Sequence, residues 1–462
     1  YFVGIKGVAM TALAIWAKEA GKVVAGSDVT EEFPTDEELK KVRIDVHEGF
    51  DEVHLVAFKS DLVIYTGAHG GRENPQVVYA MEHAIPSLPH GQALGIAMAR
   101  KRQISVAGSH GKTTTSAMIA TILAETGLDP SYAIGCGSIA GLGAAGHAGK
   151  GDWFVAEADE YVTDPHHDTT PRFLWQKPEI LVVTNIDFDH PDVYETLEDV
   201  QKAFVQLSGQ QKGMRTIIVN ADDAASRVLF ARDKNETITY GFSPQAGFFI
   251  SHVGFGEKRT FFTLREKGMQ VGEFSLKVPG RHNAANAAAA AAAARSVGVS
   301  WDAIRAGLLA FGGTKRRFEE IGHAQGIIVY DDYAHHPTEI QATIAGARAW
   351  YPKKRIISVF QPHTYSRTKA LLSDFATSFI GSDIVVISDI YASAREKDTL
   401  GITSIDLVRH IETRQAQVLY QKSYAAVSAF LEKEAKKGDV ILFMGAGDIS
   451  GWSRQMIHDW LH

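Results

Sequence analysis

Lys112 stands near the end of a run, Gly108-Ser109-His110-Gly111-Lys112-Thr113-Thr114, whose residue types suit phosphate. The apolar residues 104–107 precede it and a helical stretch, residues 113–125, follows it. This strand–loop–helix setting is the one a phosphate-binding loop requires. The backbone N–H groups of such a loop point at phosphate oxygens, and the helix N-terminus adds partial positive charge. Lys112 can neutralise outer phosphates, and the Thr113 hydroxyl can ligate Mg2+. The general pattern has a glycine five residues before Gly111, where this chain has Val106. A glycine turn that opens a helix beside an incidental lysine is the alternative reading.

Two acidic clusters end apolar runs: Glu157-Ala158-Asp159-Glu160, and Asn185-Ile186-Asp187-Phe188-Asp189-His190. Ligands bind at the carboxyl ends of strands in open α/β sheets. Mg2+ takes hard oxygen ligands beside water and substrate phosphates, so Glu157 can bind one directly. His190 is a less usual magnesium ligand and, taken alone, reads as a structural or acid–base group. Solvated loop charge is the alternative for both clusters. His166-His167 reads as a loop pair, because adjacent side chains diverge.

A second glycine turn, Gly4-Ile5-Lys6-Gly7-Val8-Ala9-Met10, follows the first strand, and Asp28 comes at roughly the dinucleotide-fingerprint spacing. Only half of the usual glycine pattern is present, since Ala9 replaces the third glycine. A nucleotide or its diphosphate, NAD, and a purely structural turn all remain open.

Positioning these groups requires parallel sheets with helices on their faces. Strands are expected at residues 1–5, 23–26 and 62–65, with a helix at 10–20. A second α/β unit has strands at 104–107, 154–157, 180–185 and 217–220, and antiparallel strands within 240–279. A third has strands at 327–331, 356–360, 384–388 and 440–444, and helices at 337–350, 368–379 and 423–436. This is the βαβ rhythm three times over. The fold class is therefore α/β: a Rossmann-like first domain (1–102), a central P-loop domain (103–312) with a parallel sheet plus a small antiparallel sheet, and a doubly wound C-terminal domain (313–462).

The 462 residues support about three domains. A formal net charge of −7 supplies no global field for a polyanion, so phosphate binding must come from local sites and nucleic acid is not the expected partner. The single cysteine, Cys136, excludes an intramolecular disulfide and a multi-cysteine zinc site, and fits a reducing cytoplasm. No run reaches the roughly 18–20 apolar residues of a membrane span. Residues 284–294 are too short and alanine-rich for one and read as a helix packed closely against another element. Because the chain opens on Tyr1 directly into a strand-like run, a few preceding residues are expected.

Taken together, residues 108–114, 157–161, 184–192, 280–286, 313–318, 331–339, 360–368 and 445–449 resemble, in order and separation, the Mur ligase family, and within it the branch that adds L-alanine. The resemblance covers all three domains. It implies a first domain that binds a UDP-sugar through Gly4, Gly7, Met10 and Asp28, a central ATPase domain, and a C-terminal amino-acid domain. It implies UDP-N-acetylmuramate and L-alanine as substrates, ATP as co-substrate and Mg2+ held by Thr113, Glu157 and His190. His282, Asn283 and Asn286 would line the adenine pocket, and Arg317 and Asp332 would also reach ATP. His335, His336, His363 and Arg367 would lie near the amino acid, with Lys112, His336, His363 and Arg367 carrying catalysis. Residues that serve ATP from two domains imply closure.

Lys6 and Ala9 stand where that branch usually has glycines, and residues 161–178 are longer than it needs. Length there, together with Glu157-Ala158-Asp159-Glu160-Tyr161, is also similar to ligases that recycle murein tripeptide. The runs Lys315-Arg316-Arg317-Phe318 and 360–368 read like alanine addition. A nucleotide-binding regulator would keep Lys112 without needing Glu157, His190, Asp332 and Arg367 together. A dehydrogenase would rest on the first glycine turn alone.

Overall fold

A computed structural model describes residues 1–209, 216–231, 236–256, 258–392, 396, 398–414 and 417–461. By compactness the chain divides into two units. One comprises Tyr1–Val253, Phe261–Leu276 and Ala284–Lys315; the other comprises Gly254–Thr260, Lys277–Asn283 and Arg316–His462.

The first unit opens with a five-stranded sheet in the order Asp45–Glu48, Ala25–Asp28, Phe2–Val3, Val63–Tyr65, Ser87–Pro89. Every neighbouring pair is parallel. The order reverses on either side of Phe2–Val3, and that switch point is where open α/β sheets bind ligands. The first strand is shorter than the apolar run suggests, because Gly4 turns the chain at φ +83°. The helix Val8–Glu19 follows.

The central sheet has ten strands, and Arg102–Ala107 lies inside it between Trp153–Ala158 and Ile180–Val183. Both neighbours run parallel to it. The phosphate loop and both acidic clusters therefore leave the same edge of the sheet side by side. The sheet is mixed: Gly143–His147 pairs antiparallel to Ser131–Ile139. Three strands, Phe248–Gly256, Arg259–Glu266 and Met269–Leu276, extend the same sheet at its other end. The helix Arg281–Ser296 carries the alanine run, and its alanines from 287 to 294 are fully buried. One-carbon side chains give this helix a girth small enough for such enclosure.

In the second unit a six-stranded sheet runs Glu319–Ala324, Ile327–Asp332, Val440–Met444, Ile356–Phe360, Ile384–Ile387, Val418–Tyr420. Only the first pair is antiparallel. Alternate residues of its strands feed two cores: Tyr330, Phe360, Val385 and Leu442 on one face, Val329, Val359, Val386 and Phe443 on the other. Continuous apolar runs are what burial on both faces demands. The helix expected over 368–379 is two helices, Tyr365–Ala370 and Leu372–Ser378. The Thr364 side chain accepts the Arg367 N–H and starts the first one early; Leu371 breaks the run.

Candidate active site

The phosphate loop is held open by its neighbours. Gly108 has φ +134°, and a Cβ there would lie 2.0 Å from Thr184 Oγ1. Asn185 Oδ1 accepts the His110 N–H at 2.9 Å, and the Thr184 hydroxyl donates to the His110 carbonyl at 2.5 Å. Ser109 Oγ accepts the Asp187 N–H at 2.9 Å. The segment that begins at Thr184 thus splints residues 108–110. Gly111, in the left-handed region, caps the helix Lys112–Glu125, and Asn286 lies close against it.

Lys112 Nζ donates to the Gly108 carbonyl at 2.6 Å and to Glu160 at 2.9 Å. Burial alone would lower its pKa, but the carboxylates of Glu160, Asp159 and Glu157 outweigh burial and hold it above the ordinary lysine value. Asp159 shows the mirror image. Burial pushes its carboxyl up, yet Arg172, Lys112 and His190 together bring it down to about 2. The Thr113 hydroxyl donates to Glu157 Oε2 at 3.1 Å, while Glu157 Oε1 accepts the Gly135 N–H at 2.6 Å. Ligand atoms of Asp159, Glu160 and His190 lie within 4.8 Å of one another. These hard oxygen donors beside one imidazole fit Mg2+. Thr114 directly follows Thr113 in the first turn of the helix.

At the first glycine turn, Gly4 and Ile5 donate N–H groups to the Ser27 carbonyl. Met10 is buried and packs over Gly7. Asp28 accepts the Lys6 N–H at 2.7 Å and the Val29 N–H at 2.9 Å, and His69 Nε2 approaches it at 3.4 Å. The Asp28 oxygens thereby hold the backbone of the turn. Lys6 donates to the carbonyls of Val29 and Glu31, each at 2.9 Å, so it ties down the following loop.

The second unit gathers His282, Asn283, Arg317, Asp332, His335, His336, His363 and Arg367. His282 is solvent-exposed, and crowding around its ring together with the nearby Arg317 lowers its pKa. Asn283 Nδ2 donates to the Pro279 carbonyl at 2.7 Å. Burial raises Asp332 to about 6, against Arg317 and the Ala334 N–H. Its oxygens accept from Phe318 N, Ala334 N and Thr343 Oγ1. Arg317 reaches Glu339 at 3.4 Å and lies over the Tyr333 ring. His336 caps the helix Pro337–Trp350, its Nδ1 accepting the Thr338 N–H at 3.3 Å. Arg367 donates to His363 Nδ1 at 3.3 Å, and the His335 and His363 ring centroids are 6.0 Å apart. In both contacts Nδ1 is the acceptor, which puts the ring proton on Nε2. Each imidazole therefore presents an N–H donor at Nε2.

Sequence reasoning did not single out Thr184 and Asn185 as splints, Glu160 as the partner of Lys112, or Arg172 as the partner of Asp159 (3.0 Å). The adjacency of Glu160 to Glu157 carried a signal. The distance of Arg172 from the cluster along the chain hid the other pair.

Comparison with known proteins accounts for this arrangement. The sequence matches three family descriptions in turn: "Mur ligase family, catalytic domain" over residues 1–102, "Mur ligase middle domain" over 106–294, and "Mur ligase, glutamate ligase domain" over 316–447. The UDP-N-acetylmuramate–L-alanine ligase of Desulfitobacterium hafniense is 39% identical over 450 residues, 97% of each chain. The crystal structure of the UDP-N-acetylmuramate-alanine ligase MurC of Thermotoga maritima superposes with a TM-score of 0.83 at 26% identity, covering 100% of this chain and 98% of that one. A murein peptide ligase of Psychrobacter arcticus shares the fold, with a TM-score of 0.74 at 24% identity over 99% of this chain and 97% of the other. With all three segments matched in order and near-full-length identity to its relatives, the chain belongs to the Mur ligase family.

Proposed function

We propose that the protein joins L-alanine to the lactyl carboxylate of UDP-N-acetylmuramate at the expense of ATP, in the cytoplasm. The observation that carries the phosphoryl-transfer half is the splinted loop that sets Lys112 among Glu157, Asp159 and Glu160. The near-full-length identity to L-alanine-adding relatives supports the choice of acceptor.

A carboxylate is a poor acyl donor because its leaving group would be oxide. Attack of its oxygen on the γ-phosphorus of ATP expels ADP and leaves an acyl phosphate. That step depends on in-line positioning and charge neutralisation more than on covalent help from the protein. Lys112 and the N–H groups of residues 108–114 meet the phosphate charge, and His282, Asn283 and Asn286 serve the adenine side. Thr113 and Glu157, with His190 in its cluster with Asp159 and Glu160, would hold Mg2+, which would supply further neutralisation of phosphate charge. The alanine amine then attacks the acyl carbon, phosphate departs, and a base or an ordered water takes the proton that the nitrogen loses. Arg367 holds the amino-acid carboxylate, and His336 and His363 offer Nε2 donors to the oxygen charge that develops. Arg317 and Asp332 organise the residues that approach ATP. Gly4, Gly7, Met10 and Asp28 form the turn assigned to the sugar nucleotide.

The test is phosphate release from ATP with UDP-N-acetylmuramate, comparing L-alanine with the L-alanyl-γ-D-glutamyl-diaminopimelate tripeptide. Release that requires L-alanine is expected. Release with the tripeptide alone would replace alanine addition with tripeptide recycling, and hydrolysis indifferent to both would end the ligase reading.

A further inference from the structure

Apart from Arg172, which pairs with Asp159, residues 161–178 have no part in the function described so far. The strand Val162–Asp164 ends on a carboxylate that is 1% exposed. Asp164 belongs to the central fold, yet its Oδ2 accepts the N–H of Arg72 at 2.9 Å, in the short turn Gly71–Glu73 of the first domain. Its Oδ1 accepts the His166 N–H at 3.2 Å. Gly71 has φ +54° and lies so near that a Cβ would fall 2.5 Å from Asp164 Oδ2. Gly67 permits a similar approach, its Cβ position lying 2.9 Å from the Thr163 carbonyl oxygen. His167 approaches Glu73 at 3.4 Å.

The segment held in this way, residues 66–72, is also a wall of the first glycine turn. A Cβ on Gly4 would lie 2.4 Å from Thr66 Cγ2, and His69 reaches Asp28. The His69 ring packs on Phe50 with centroids 5.3 Å apart. One side of the loop thus touches the turn and the other is pinned by Asp164. Separating a buried carboxylate from its peptide donor leaves both unsatisfied, so the contact resists opening.

We propose that Asp164 is a positioning residue for the sugar nucleotide: it fixes residues 66–72 against the Gly4 turn before the ligand arrives. The proposal rests on the sugar-nucleotide reading above. A loop ordered in advance spares binding the free energy of ordering it.

The experiment titrates UDP-N-acetylmuramate into the wild-type protein, Asp164→Ala, Asp164→Asn and Gly71→Ala by calorimetry. A non-hydrolysable ATP analogue serves as the parallel titrant, and thermal melts check each fold. Asp164→Ala and Gly71→Ala are expected to weaken the sugar nucleotide at least tenfold. Asp164→Asn keeps an acceptor oxygen for the Arg72 N–H and is expected to lose threefold or less. Affinity for the ATP analogue should stay within twofold throughout. Wild-type affinity for the sugar nucleotide in both Asp164→Ala and Gly71→Ala would overturn the proposal, as would equal loss of both ligands. A wild-type protein that binds no UDP-N-acetylmuramate would instead sink the functional reading, and the proposal with it. If Asp164→Ala does not fold, Gly71→Ala disturbs the same contact and decides the matter.

Discussion

Replacing Glu160 by glutamine should make the protein less stable and its nucleotide site more receptive. Glu160 and Lys112 meet at 2.9 Å with side chains 2% and 14% exposed. At that distance and an effective dielectric near 20, their attraction is about 6 kcal/mol before desolvation is subtracted. Removing one member of a buried pair costs roughly 3–5 kcal/mol. Glutamine keeps the shape and one acceptor oxygen, and Asp159 and the Gly108 carbonyl still face the ammonium. The expected loss is therefore about 2 kcal/mol, below that range for a pair broken outright. The same carboxylate competes with nucleotide phosphates for Lys112, so its neutralisation should tighten an ATP analogue severalfold. Urea denaturation and calorimetry on the two proteins measure both effects. Unchanged stability together with unchanged or weaker nucleotide affinity would refute the reasoning, since it would mean that the pair neither supports the loop nor restrains the lysine.

Two further outcomes follow from the same geometry. Asp332 has a folded pKa of about 6 against 3.8 in the unfolded chain, so its contribution to stability is full below pH 3.8 and is lost as pH rises through about 6. Asp332→Asn should remove up to about 3 kcal/mol of the pH 4-to-8 fall in stability, at 1.36 kcal/mol per pH unit; equal pH dependence in both proteins, followed by urea titration, would contradict this. Gly108→Ala places a methyl 2.0 Å from Thr184 Oγ1 in a left-handed backbone and should abolish ATP-analogue binding in a calorimetric titration. Adding Thr184→Ala should not restore it, because the Asn185 backbone lies within 2.9–3.0 Å of the same position.

What could be read in the sequence was whatever depends on neighbours along the chain. The loop at 108–114 declares itself by glycines between an apolar run and a helix. The inner strands of the second unit declare themselves because burial on both faces makes them continuously apolar. Short, half-exposed edge strands such as Asp45–Glu48 and Val418–Tyr420 carry no such pattern. The split at Leu371 escaped because apolar periodicity runs through it, while the Thr364 cap is a local hydrogen bond. Nor does spacing alone reveal that Asp28 accepts the Lys6 and Val29 N–H groups, because those bonds depend on how the glycine turn closes. Pairs such as Asp164 with Arg72 depend on two distant segments arriving together, and no local pattern encodes them.

The alanine-rich helix Arg281–Ser296 carries a consequence for how the molecule breathes. Alanine has no rotamers to regain on exposure, and the enclosed run 287–294 opens only when the layers around it part. Its amide protons should therefore be among the last to exchange with solvent, surviving until the surrounding fold itself opens. The same helix begins at Arg281 beside His282 and Asn283 and carries Asn286 to the edge of Gly111. Asn283 and Asn286, proposed for the adenine side, are thus mounted on slow-exchanging material. Over evolutionary time such a helix tolerates little change, because any larger side chain in its enclosed turns has nowhere to go.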